Sequence, residues 1–104
     1  MDLSKINEFI DRTMIDNGKF YRDEDMDKRI FAQSIKLSEE CGELASQILW
    51  NKWLVRKEKL SSYTEQTLKD EFADVILTTF RLAKLMWVDM SDAIKNKIEK
   101  IKNR

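Results

Sequence analysis

The chain has 104 residues, with 19 basic and 19 acidic side chains, two glycines, one cysteine, no proline and no histidine. That length supports one small domain, residues 1–104, whose limited core gains from self-association; the cancelling charges give no electrostatic footprint for a nucleic-acid polymer or a membrane surface. Without histidine the chain lacks the usual general base, most zinc sites and the Glu-x-x-His pattern of di-iron bundles.

Apolar residues recur at helical spacing, and the scarcity of glycine and proline leaves few breaks for short strands, so the chain reads as all-α. A first helix, roughly residues 2–16, carries Leu3, Ile6, Phe9, Ile10 and Ile15 and stops near "DNG", where Gly18 can follow the helix end in a left-handed conformation. Acids from Asp23 to Asp27 then offer caps for a long helix over about 25–54. "DEDMD" imitates a calcium loop but lacks the central glycine and the twelfth-position glutamate of an EF-hand, and capping explains it better.

Ser62 and Glu65 fit a capping box for a third helix over about 64–88, the most apolar segment. Its stretch from Val75 to Val88 is shorter than the ~20 residues that span a bilayer and contains Arg81 and Lys84, so it reads as a core helix. Ser91 can cap a shorter fourth helix with a narrow stripe of Ile94, Ile98 and Ile101 among lysines. The lone Cys41 cannot close an internal disulfide. With no signal-peptide pattern at the N-terminus, a reducing cytoplasm is the expected setting.

"KLSEECGELASQILW", residues 36–50, gathers Glu39, Glu40 and Glu43 in one sector of the second helix. Leu37, Cys41, Leu44 and Ile48, with Ile30, form an apolar stripe that points roughly the opposite way, Cys41 being expected as a buried small hydrophobe. Spacing alone leaves two readings open, a solvated acidic face and a metal site. In "KDEFADVILTTF" of the third helix, Glu71 and Asp74 are neighbours three residues apart, and Glu71 runs in line with Val75, Thr78 and Leu82. Carboxylates at the edge of a buried stripe repel one another and lose hydration, so they call for a cation. Two such pairs on facing helices, with no histidine, suit magnesium, which takes oxygen ligands and usually binds through carboxylates and substrate phosphates.

These residues carry a resemblance. "EExxE" on one helix, "ExxD" on the next and a basic last helix resemble, in order over residues 30–104, the all-α nucleoside triphosphate pyrophosphohydrolases of the MazG-like superfamily. "EECGELASQILW", "DEFADVIL" and "VDMSDAIKNK" are most similar to the short branch that contains the dCTP pyrophosphatases, with their tryptophan seven residues after the last glutamate, here Trp50. The resemblance implies a four-helix-bundle-type fold and cleavage of a (deoxy)nucleoside triphosphate between its α- and β-phosphates, with magnesium or manganese. By motif position Glu40, Glu43, Glu71 and Asp74 are the implied metal ligands, with Glu39 a further ligand or a water-orienting base. Lys97 falls on the family's basic position, Arg104 stands in for its terminal arginines, and Ile101 occupies a place commonly held by asparagine in that branch.

Trp50 is the candidate for stacking on a base; Trp53 and Trp87 read as packing residues. The apolar third helix is more than one short chain readily covers, which implies a homodimer or homotetramer. Two other readings of the same chain are a non-catalytic helical module and a phosphoribosyl-ATP pyrophosphohydrolase.

Overall fold

A computed structural model describes residues 1–18, 25–52 and 65–104. Among them are four helices and no strand: α1 Leu3–Gly18, α2 Met26–Asn51, α3 Glu65–Leu85 and α4 Met90–Lys102. The all-α expectation is met, with helix ends within a few residues of those read from sequence. Asp23, Trp53 and Ser62, to which the sequence assigned capping or packing roles, lie outside the described residues. No described helix is long and apolar enough to cross a membrane.

The principal contact is between α2 and α3, while α1 packs on α3 and α4 on α1. Gln33 donates from Nε2 to the carbonyl of Thr78 at 3.3 Å, and Thr67 donates from Oγ1 to Oε1 of Gln47 at 3.3 Å. A register that sets 33 against 78 and 47 against 67 makes the two helices antiparallel. The seam of α2 is Gln33, Leu37, Glu40, Leu44 and Gln47, and that of α3 is Glu71, Val75, Thr78, Leu82 and Leu85, all buried or half-buried. Both sets alternate steps of three and four, the spacing that keeps one line of side chains facing a partner helix.

This seam corrects the expected facing of α2. Cys41 is exposed rather than buried, and Ile48 is exposed too, whereas Glu40 is only 7% exposed. The physical reason is that α2 is apolar on two sides. One side is the mixed seam, with Ile48 at its edge; the other, with Phe31, Ile35 and Leu49, points away from α3 into solvent.

On its other face α3 buries Phe80 and Ala83, and α1 buries Ile10. Lys84 Nζ meets Asp11 Oδ1 at 2.6 Å, an ion pair from α3 to α1. α4 begins on Asp89, whose carboxylate accepts from the Asp92 amide at 3.2 Å. The cap is therefore Asp89 and not the expected Ser91. An aspartate in extended backbone two residues earlier reaches the open amide first, and the Ser91 hydroxyl instead accepts from Asn7 Nδ2 at 2.9 Å, tying α4 to α1.

α3 stops at Leu85, three residues before the expected end. The Val88 amide turns back to the Ala83 carbonyl at 2.8 Å and the Trp87 amide to that of Lys84 at 3.1 Å. This paired closure places the intervening residue in the left-handed region, where glycine is usual. Here it is Trp87, at φ 60° and 92% exposed. A non-glycine residue there costs on the order of 1–2 kcal/mol, and so exposed a ring recovers little of it by burial. Trp87→Gly is therefore expected to stabilise the fold by about 1 kcal/mol, seen as a melting temperature higher by roughly 4 °C or more. An unchanged or lower midpoint would show that the indole makes contacts worth more than the strain.

Candidate metal centre

The antiparallel register brings the middle of α2 to the first half of α3. Glu40 and Glu43 come from adjacent turns of α2 and Glu71 from α3, and each offers a carboxylate oxygen within 4.8 Å of the other two. The seam explains the closeness: Glu40 and Glu71 both stand at seam positions, between the Gln33–Thr78 and Gln47–Thr67 contacts.

Two of the oxygens, Glu40 Oε2 and Glu71 Oε2, are buried and have no hydrogen-bond partner. Glu40 Oε1 meets Lys36 Nζ at 3.3 Å, one turn back on the same helix, which compensates one carboxylate in part. Glu71 has no cationic partner among the described residues. Burial first, and then the negative charges of Glu43, Asp74 and Glu40, hold its carboxyl above the ordinary glutamate range. Buried carboxylate oxygens are normally satisfied, and like charges this close are normally kept apart. A divalent cation with a preference for oxygen resolves both conflicts, and the donor set fits one.

Beside the cluster is an open cleft of about 670 Å³ lined by Glu39, Gly42, Glu43, Ser46, Gln47 and Glu71. Glu39 thus faces the same space as two members of the cluster. A Cβ added at Gly42 would meet nothing within 4 Å, so the bare backbone there leaves the cleft wall open. Asp74 is exposed one turn along α3 from Glu71 and near enough for its charge to act on it, but it is outside the closest group of three.

The remaining expected residues lie farther out. Trp50 is half-buried one turn beyond Ser46 on α2, on the face that lines the cleft, though not itself in the lining. Lys97 and Arg104 are exposed on and just beyond α4, which packs on α1, and neither lines the cleft. Gln47, Ser46 and Lys36 were not singled out from sequence. Their signal was present in the spacing: Lys36, Glu39, Glu43 and Ser46 fall on one helical line, and Gln47 falls on the seam.

Fold and site together define an all-α protein with an acidic cleft between two antiparallel helices, where three glutamates could hold a metal ion. A family model described as the MazG nucleotide pyrophosphohydrolase domain matches residues 33–104, and the chain belongs to that family. Its members are nucleotide pyrophosphohydrolases and are typically metal-dependent. No curated protein and no solved structure gives a significant match to the chain.

Proposed function

We propose that this protein hydrolyses a (deoxy)nucleoside triphosphate between the α- and β-phosphates, with magnesium, to give a nucleoside monophosphate and pyrophosphate. The observation that carries the reading is the pair of buried, unpartnered oxygens Glu40 Oε2 and Glu71 Oε2 on facing helices, in a chain whose family cleaves this bond. Glu40, Glu43 and Glu71 would hold the cation, with Asp74 completing the set from the next turn of α3. A magnesium ion bound there supplies Lewis acidity toward the phosphoryl oxygen and makes water a better nucleophile near neutral pH.

The chain's own residues do the rest. Glu39, on the wall of the cleft, orients the attacking water and takes its proton. The water oxygen bonds to the α-phosphorus, and the bond from that phosphorus to the bridging oxygen breaks. Trp50 offers a flat apolar surface to the base, and Lys97 and Arg104 offer charge to phosphate. Exposed Phe31, Ile35 and Leu49 of α2 and Phe72 and Ile76 of α3 support a homodimer or homotetramer in which a second copy covers these faces.

The test is a panel of ribo- and deoxynucleoside triphosphates, with phosphoribosyl-ATP included, assayed for pyrophosphate and monophosphate in equal amounts. Metal-dependent turnover of a triphosphate is the expected result. Turnover of phosphoribosyl-ATP alone would move the substrate to that compound, and no turnover together with no melting shift by magnesium and any nucleotide would leave a non-catalytic module.

A further inference from the structure

Lys28, Ala32, Lys36, Glu39, Glu43 and Ser46 follow one another on α2 at steps of three and four, so they form a single line along one flank of the helix. Asp74 and Arg81, seven apart, share a flank of α3 in the same way. The acidic cleft is thus only half of what runs along this side of the pair. Toward the start of α2 and the end of α3, the flank opens into a second cleft of about 590 Å³ whose charged lining, among the described residues, is Lys28, Arg29, Lys36, Arg81 and Asp25.

Among the described residues the lining is mainly basic, a local bias that the neutral chain conceals, even with Lys36 paired to Glu40 and Arg29 also engaged. Arg81 is half-buried and makes no ion pair or hydrogen bond with a described residue, and Lys28 makes none either. A guanidinium with no ion-pair partner among the described residues keeps its donors available and suits a planar or tetrahedral oxyanion. Lys36 belongs to both halves: it lines the basic cleft and pairs with Glu40 at 3.3 Å.

We infer that the basic cleft is the seat of the β- and γ-phosphates, and so of the leaving pyrophosphate, with Arg81 and Lys36 contacting it and Lys28 and Arg29 attracting it from farther along. The inference rests on the reading of the acidic cluster as the site of α-phosphate attack. It gives the substrate a direction along α2. The nucleoside points past Glu43 toward Trp50, and the terminal phosphates point past Lys36 toward the first turns of the helix. Lys36 is one turn, about 6 Å along the axis, from Glu40, so its long side chain can reach a phosphate next to one held at the acidic cluster.

The experiment is product inhibition on the full chain, with inorganic pyrophosphate and the nucleoside monophosphate as separate inhibitors, in Arg81→Ala, Arg81→Lys, Lys28→Ala and the charge control Lys100→Ala. Arg81→Ala is expected to raise the inhibition constant of pyrophosphate and the KM for triphosphate at least tenfold, with inhibition by monophosphate unchanged. Arg81→Lys recovers part of the loss, exposed Lys28→Ala gives a smaller shift of the same kind, and Lys100→Ala gives none. Unchanged pyrophosphate inhibition in both Arg81→Ala and Lys28→Ala, or equal weakening of both products, would overturn the assignment while leaving the hydrolase reading in place. Calorimetric titration of the same proteins with inorganic pyrophosphate and magnesium reads the cleft without turnover, so failure of the hydrolase reading is seen separately.

Discussion

Glu71→Gln is expected to lower metal-dependent pyrophosphate release about a thousandfold or more, the loss that follows when several kcal/mol of charge stabilisation is removed. The same change should make the cation-free protein more stable. Glutamine keeps the volume at this seam position but removes the charge that burial and the carboxylates of Glu43, Asp74 and Glu40 oppose. The opposite signs separate a metal ligand from a structural residue, because an ordinary seam contact would lose both stability and activity when altered. Steady-state assay and thermal melting in chelator read the two. A variant that keeps its turnover would remove Glu71 from the chemistry, and one that melts lower would mean its carboxylate is satisfied in the folded chain.

The second large effect concerns pH. In the folded, cation-free chain Glu71 keeps its proton above the pH at which an unfolded glutamate, with a pKa of about 4.3, has released it. At this site the native state therefore holds more protons than the unfolded state in that window, and the contribution of Glu71 to stability falls as pH rises from about 4.3 through the raised value. Saturating magnesium should reverse this slope, because the bound ion favours the ionised carboxylates and its affinity grows as protons leave. Melting curves across the acidic range, with magnesium or with chelator, should diverge as pH rises. The divergence should shrink in Glu71→Gln. Parallel curves would show that the ion does not meet this carboxylate.

The elements and the acidic residues were legible in the sequence, but the facing of α2 was not. Periodicity marks a helix and finds its apolar sides, yet α2 has two of them. The side with more obvious hydrophobic residues is exposed, and the packed side holds Gln33, Glu40 and Gln47 at seam positions. A rule that sends polar residues outward puts Glu40 in water, when its burial opposite Glu71 is what makes the site. The spacing 33, 37, 40, 44, 47 carried the information, but only a partner helix could show which of two periodic lines is used. Trp87 escaped for a related reason. Left-handed helix ends are found by their glycine, and this one closes on a tryptophan held by two backbone hydrogen bonds. Arg81 read as a tolerated charge on a core helix until the fold set it beside Lys28 and Lys36.

The ion pair between Lys36 and Glu40 bears on which ions the site accepts. The ammonium group is a resident counter-ion on Glu40 Oε1, built into the chain at fixed effective concentration, and an incoming ion at the orphaned Oε2 shares the carboxylate with it. A potassium or sodium ion carries no more charge than the lysine already there and leaves the clustered carboxylates under-compensated. A divalent ion carries twice as much and can satisfy the two orphaned oxygens at once.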